Sequence, residues 1–240
     1  MQNLLLMMFK KLITISIVII LTLSGCGGTI TTTDTAGVSF KDGANVYYVP
    51  EYGNEPIYNF NEAPYFAEFI LKERPYEEYN PLDSLGRCTL TSAICCKETM
   101  PKDNEKRGSI SNVTPTGWIQ AKYDNISGKY LYNRCHLIGW QLTAENDNKR
   151  NLITGTKYLN IDGMLPIENS VAKHIKETEH YVAYQVTPIY DSQGLLPLGV
   201  HMEVDCINCD IKGTTYNVFC YNVQPGIELD YKTGNSKELN

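Results

Sequence analysis

The stretch from Tyr130 to Glu168, YLYNRCHLIGWQLTAENDNKRNLITGTKYLNIDGMLPIE, constrains this chain more than any other. A short apolar, strand-like run at Tyr130 to Tyr132 delivers His136 onto a polar loop. An Asn-Lys-Arg-Asn cluster follows, and Asn160 then stands at the start of a helical region. Imidazole, carboxamide, carboxylate and cationic groups thus fall within one short span whose apolar punctuation folds it into a compact unit. Such a set marks a site more than a surface.

The remainder of the chain bounds what that site can serve. Lys10 and Lys11 form a positive n-region, Leu12 to Leu23 an apolar h-region, and Leu23-Ser24-Gly25-Cys26 the small-residue pattern of a bacterial lipoprotein signal. Residues 1–25 read as the signal peptide, Cys26 as the lipidated N-terminus, residues 26–43 as a Thr- and Gly-rich tether, and residues 44–240 as one domain. A transmembrane helix fits less well, because the two lysines cut the apolar run short. Several acyl chains on Cys26 would anchor stably where one would not, which places the protein on the extracellular face of the cell membrane, with release of part of it.

A hydrophobic content of 42% and an aromatic content of 10% are those of a globular protein. The formal charge of −6, or −8 without Lys10 and Lys11, argues weakly against a nucleic-acid partner. The distribution argues the other way: between Lys97 and Arg150 nine Lys/Arg face six Asp/Glu, a local net of +3. Eight cysteines less the lipidated one leave seven, so at least one thiol stays unpaired in a compartment that permits disulfides. Cys206-x-x-Cys209 invites a zinc reading, but no second CxxC or HxxxH supplies the other two ligands, and a disulfide or buried thiols rank ahead. Spacing alone does not fix the pairing.

Along the chain, Asn45 to Val49 reads as a strand, Ala63 to Lys72 as a helix ended by Arg74-Pro75, and Cys88 to Cys96 as a buried strand. Thr116 to Tyr123 and Lys129 to Asn133 read as an antiparallel hairpin closed by Asp124-Asn125-Ile126-Ser127-Gly128 and ending at His136. Gly155 to Leu159 starts a short helix that Gly163 and Pro166 interrupt. A second helix, Glu168 to Thr178, carries Ile167, Val171 and Ile175 on one face. The final third is β: Tyr181 to Ile189, Gly199 to Asp205 and Thr215 to Val223.

His136 can take a proton near neutral pH, although a lone histidine at a strand end is more often a surface residue. Its company carries the argument: Asn133 and Arg134 precede it, and Asn151 and Asn160 follow. A carboxamide oxygen suits Mg²⁺, which keeps most of its waters; alone, Asn160 reads as a cap or turn residue ahead of Asp162-Gly163. Arg107 and Arg134 are candidate phosphate ligands because a guanidinium fork matches phosphate oxygens in pairs, with a solvated charge run as the alternative for Arg107. Lys149 and Arg150 add positive field or belong to a solvated loop. Trp118 can stack on a base, though its place in an expected strand favours core packing. His174, His180 and His201 lack comparable neighbours and receive no role.

Asn133-Arg134-Cys135-His136-Leu137 resembles the Asp-Arg-Gly-His motif of the DNA/RNA non-specific endonucleases, and Asn151 to Thr156 followed by Asn160 resembles that family's second motif. The likeness is greatest to its secreted streptococcal and clostridial branch, where Lys106 to Ile110, Thr116-Gly117-Trp118, Tyr123-Asp124, Leu131 to Arg134 and Gly163 to Pro166 also look familiar. It spans roughly Leu82 to Gly226. The chain departs from the motif at Asn133, where most relatives carry Asp, and at Cys135, where many carry Gly.

The resemblance implies an α+β fold, a central antiparallel sheet with a ββα-metal finger, and a Mg²⁺-dependent endonuclease, with Mn²⁺ as substitute, cutting DNA and/or RNA to leave 5′-phosphate and 3′-hydroxyl ends. It implies His136 as general base, Asn160 as metal ligand and Asn151 as support for the loop. Glu168 matches a family position that orders water around the metal; as an acidic residue in a first helical turn it is also favoured there by the helix dipole. No obligate protein partner is expected. A non-catalytic surface lipoprotein that binds nucleic acid is the alternative, and an adhesion domain stabilised by zinc or a disulfide ranks behind it.

Overall fold

A computed structural model describes residues 37–42, 45–66, 72–207, 209 and 214–239. The expected signal sequence, Cys26 and most of the expected tether lie outside these residues, as does half of the expected helix at Ala63 to Lys72, residues 67–71, while its first residues, 63–66, are not helical. Residues 37–42, assigned to the tether by sequence, instead form strand β1 (Gly37–Asp42), paired antiparallel with β2 (Asn45–Pro50).

The centre of the molecule is a six-stranded antiparallel sheet in the order β3 (Ile57–Asn59), β10 (Tyr216–Tyr221), β9 (Gly199–Cys206), β8 (Val182–Ile189), β5 (Thr91–Cys95), β4 (Tyr76–Tyr79). The four inner strands fall within the runs that β-branched and aromatic residues mark in the sequence. Both edges are blunted: β3 has three residues, and β4 carries Glu77 and Glu78.

Alternation along the strands gives the sheet two apolar faces. Val182, Tyr184 and Val186 of β8 join Val200, Met202 and Val204 of β9 in the main core, while Ala183 and Ile189 belong to smaller clusters with Ile94 and Phe219 respectively. Onto the main core packs helix α2 (Leu165–Thr178), the longer of the two α-helices among the described residues. Its buried stripe is Ile167, Val171, Ala172 and Ile175, the i, i+4, i+8 pattern plus one small residue.

The hairpin expected to end at His136 forms differently. Its two arms form no ladder and meet at one β-bridge, Lys122 with Tyr130, flanked by backbone bonds from Tyr123 to Lys129 and from Leu131 to Ala121. β6 (Tyr132–His136) pairs instead with β7 (Leu152–Thr156), setting Asn133 opposite Gly155 and His136 opposite Leu152. The four-residue helix α1 (Trp140–Thr143) sits in the connection. The two short helices expected after Gly155 are one continuous helix over residues 157–178. Thr156 caps it, its Oγ1 accepting from the Leu159 amide at 3.0 Å. Pro166 does not break it, because the proline sits in the first turn of α2, where its missing N–H costs little. The reset comes just before: residues Leu159–Met164 form a π-helical turn, in which the Leu165 amide donates to the carbonyl of Asn160 five residues back.

One buried carboxamide ties this ββα unit to the sheet. Asn222, just past β10, accepts from the Thr156 amide at 2.8 Å and donates to the carbonyls of Thr154 at 3.2 Å and Pro197 at 2.9 Å. Asn222→Ala strands one amide and two carbonyls in a fully buried position, a loss on the order of 3 kcal/mol. A Tm lowered by roughly 6–12 °C for a domain of this size is expected, measured by calorimetry; a change under 2 °C would show the junction to be replaceable.

Candidate active site

His136 ends β6 and is 6% exposed, so its imidazole is held rather than free. Arg107 donates from Nη2 to Nδ1 at 3.0 Å, and Nε2 lies 2.7 Å from the carbonyl oxygen of Asn146. A guanidinium only donates, so Nδ1 accepts and Nε2–H donates to Asn146: the ring is neutral, in the Nε2–H tautomer. Burial lowers its pKa to about 4; the Asn146 carbonyl opposes the shift and the Arg107 charge adds to it. At neutral pH His136 is therefore a proton acceptor through Nδ1.

The loop after His136 is fixed by Asn151. This fully buried residue accepts from the Ile138 amide at 2.9 Å and donates to the Ile138 carbonyl at 2.9 Å, and its own carbonyl accepts from the Leu137 amide at 2.9 Å. Three bonds from one residue clamp positions 137 and 138, and with them the ring at 136.

A cleft of about 640 Å³ opens here, lined by Arg107, His136, Asn160 and Glu168 together with Asn133, Arg134, Trp118, Gln120, Tyr130, Trp140 and Gln141. Asn160 reaches it from the π-helical turn, a distortion that recurs at functional positions because it re-aims side chains. Glu168 reaches it from the first turn of α2. Burial raises its pKa to about 7, against the hydrogen bond from Gln141 and the charge of Arg107. Its carboxylate lies so close to the backbone of residue 139 that a Cβ there would stand 2.6 Å from Oε2, so a side chain at this position would push the carboxyl aside.

The two arginines have different surroundings. Arg107 stands at the base. Arg134 donates to the carbonyls of Val113 at 2.5 Å and Ser111 at 3.3 Å and lies over the Trp118 ring at 4.2 Å, lashing the 107–113 loop to β6 while keeping its charge on the cleft wall. Trp118 is in no strand; it is partly buried against the Ile126–Leu131 cluster and also lines the cleft. Lys149 and Arg150 are exposed and outside the lining. Cys135 is wholly buried, its thiol pKa pushed far up by burial and its side chain packed against Gly155, so it is an inert core residue. Gln120, Tyr130, Trp140 and Gln141 went unremarked in the sequence. Only the aromatic character of Tyr130 and Trp140 beside the motif hinted at them.

A large antiparallel sheet, and a β–β–helix finger that carries a clamped imidazole, define the ββα-finger nucleases as a class. Residues 70–208 match the model of the DNA/RNA non-specific endonuclease family, and the chain belongs to that family. It is thus an endonuclease with nucleic acid as substrate. Among solved structures, NucA from Streptococcus agalactiae with magnesium ion bound superposes with a TM-score of 0.67 at 21% identity, over 79% of this chain and 90% of that one. Sda1 nuclease with bound zinc ion gives 0.64 at 22% identity, over 78% and 98%. A protein described as an extracellular endonuclease gives 0.52 at 21%, over 78% and 98%. At these identities the likeness is one of fold.

The raised pKa of Glu168 has a thermodynamic sign. Its folded value of about 7 lies above the ordinary 4.5, so the folded state holds the extra proton between those values. The stabilising contribution of the neutral acid is complete below pH 4.5 and is lost as pH rises through 7. In EDTA, Glu168→Gln should therefore gain stability over the parent by about 3 kcal/mol between pH 4.5 and pH 8, read from urea midpoints at each pH. A pH-independent gap would mean that the carboxyl is solvated.

Proposed function

We propose that the protein is a membrane-tethered, sugar-non-specific endonuclease that cleaves DNA and/or RNA with His136 as general base and one Mg²⁺ held by Asn160, leaving 5′-phosphate ends. The observation that carries it is one cleft receiving the acceptor nitrogen Nδ1 of a neutral, clamped imidazole, a carboxamide, a buried carboxyl and a guanidinium.

The donor set fits a hard cation. Asn160 and Glu168 offer oxygen only, and a carboxyl whose ionised form is disfavoured by burial gains most from a nearby positive charge. Bound there, with Mn²⁺ as a substitute, Mg²⁺ would supply charge neutralisation at the scissile phosphate and the leaving 3′-oxygen. The magnesium of NucA supports this choice, and the zinc of Sda1 supports a divalent ion more generally.

The chain's own groups perform the remaining work. His136 takes the proton of the attacking water at Nδ1, while Nε2–H on the Asn146 carbonyl holds the ring in the accepting tautomer and steadies the imidazolium that forms. Arg107 must leave Nδ1 for this, and an incoming phosphate oxygen is the stronger partner for its fork. Substrate arrival thereby uncovers the base. Asn151 holds the loop, Glu168 orders water near Asn160, and Arg134 contributes positive field while positioning the loop of Arg107. Trp140 and the half-exposed Tyr130 offer stacking faces at the rim. Backbone contacts of this kind read phosphate and sugar rather than base edges, which suits weak sequence preference.

The export signal and Cys26 assign the protein to the outer face of the membrane, and an extracellular structural neighbour supports export. A non-catalytic nucleic-acid-binding lipoprotein would have no use for an accepting imidazole beside oxygen ligands.

Purified protein should nick and linearise circular plasmid in Mg²⁺ and leave it intact in EDTA; an intact plasmid under every condition would sink the enzyme reading. His136→Ala is expected to lose at least about a hundredfold in turnover with Tm and DNA affinity retained, whereas parallel loss of Tm would make the residue structural. Asn160→Ala should move the Mg²⁺ titration to higher concentration, and an unshifted titration would remove it as a ligand. On fractionation, Cys26→Ser should pass from membrane to soluble; parent protein that is already soluble would refute the anchor.

A further inference from the structure

At the end of α2 away from the cleft, four metal-ligating side chains from separate parts of the fold converge. They are His174, His180, Cys206 and Cys209, whose ligating atoms all lie within 4.8 Å of one another. His174 is on α2. Glu179 then takes a left-handed backbone conformation, φ 57°, that closes the helix with its amide on the Ile175 carbonyl and turns the chain back. That reversal brings the His180 ring to 5.6 Å from the His174 ring. Cys206 ends β9, held opposite Val182 by the sheet register, and the Ile207 amide donates to the Tyr181 carbonyl at 2.8 Å.

The four nitrogen-to-sulfur separations bracket that of a tetrahedral site. His174 Nε2 lies 3.2 Å from Cys206 Sγ and 3.8 Å from Cys209 Sγ, and His180 Nδ1 lies 3.7 Å and 3.1 Å from the same sulfurs. Zn–S bonds of about 2.3 Å and Zn–N bonds of about 2.0–2.1 Å at tetrahedral angles put nitrogen and sulfur roughly 3.6 Å apart, the middle of the observed range. All four residues are half-buried, so an ion can enter while solvent is largely kept from the ligands. The structure joins the two sulfurs as a disulfide. That bond would use neither imidazole, and it gives no reason for two rings on opposite sides of a helix cap to aim a nitrogen at the same sulfur pair.

We propose that His174, His180 and the thiolates of Cys206 and Cys209 form a structural Cys₂His₂ zinc site. Two thiolates and two neutral imidazoles around Zn²⁺ leave no net charge, and no ligand position remains for water, so the site is a staple and not a second catalytic centre. It ties the C-terminal end of the helix that carries Glu168 to the ends of β8 and β9. Glu168 lies six residues before His174, about 9 Å along the helix axis. The site shares no residue with the nuclease cleft and stands independently of the mechanism proposed for it.

The test uses the protein purified under reducing conditions with ZnCl₂, then dialysed against excess Mg²⁺. One zinc ion per chain should remain by elemental analysis, and Co²⁺ in its place should give the intense d–d bands of a tetrahedral ion with a thiolate-to-cobalt charge-transfer band in the near ultraviolet. Cys206→Ser and His180→Ala should each lose the tightly held ion and shift the cobalt spectrum, while Asn160→Ala keeps both. Should the cysteine variants fail to fold, the cobalt spectrum of the parent protein still decides, since without the charge-transfer band the proposal falls. It falls equally if a Cys206→Ser/Cys209→Ser variant retains the zinc, or if zinc-supplied protein shows the disulfide in a peptide map and holds no ion.

Discussion

The carboxamide of Asn222 is the joint on which the structure turns. A two-stranded ribbon such as β6–β7 is barely stable alone, and its register matters only if it is held against something rigid. Asn222 supplies this by bonding to the backbone of Thr154 and Thr156 on the ribbon and of Pro197 beside the sheet. Thr156 then passes the restraint on, capping the helix through Leu159 while its hydroxyl also reaches the Val223 carbonyl. Strand end, helix start and sheet edge are thus located by one buried cluster, and the cleft inherits its dimensions from it.

Within the cleft, burial acts in opposite directions on the two titratable groups that share the charge of Arg107. It lowers the pKa of His136 to about 4, leaving the imidazole unprotonated at neutral pH, and raises that of Glu168 to about 7. The guanidinium favours both the neutral imidazole and the ionised carboxyl. One cation thereby biases both groups toward the states that the proposed mechanism requires. Arg134 serves a different end, since its bonds to Val113 and Ser111 hold in place the loop from which Arg107 projects.

Much of this was legible in the sequence. The helical stripe of Ile167, Val171 and Ile175, the three C-terminal strands and the grouping of His136, Asn151 and Asn160 all follow from periodicity or from the family resemblance. The pairing of the finger did not. Asp124 to Gly128 is good turn chemistry and does form a turn, but the strand that finally pairs with residues 132–136 lies some twenty residues further on. It carries a glycine, Gly155, that looked like a helix start and is there to admit Cys135. Pro166 misled for a related reason, because its meaning depends on whether the helix begins before or at it. The His174 and His180 pair was invisible to spacing rules, since its separation of six residues acquires geometry only from the left-handed cap between them. Five of the seven cysteines after Cys26 are buried thiols packed as small apolar residues, a count that says little about oxidation because a thiol already covered by folding is not forced to pair.

The π-helical turn at Leu159–Met164 bears on how such a site tolerates change. A hydrogen bond spanning five residues takes up one residue more than the ordinary helix, so everything downstream is rotated by ~100° relative to an uninterrupted helix. Asn160 can face the cleft while Ile167, Val171 and Ile175 face the sheet because this phase shift lies between them. Loss of one residue inside the turn would return it to an ordinary helix and leave the apolar face on the sheet, whereas loss of one residue between Met164 and Ile167 would rotate that face by ~100°. A one-residue change of length is therefore absorbed within the turn and carried forward as a rotation when it falls after it.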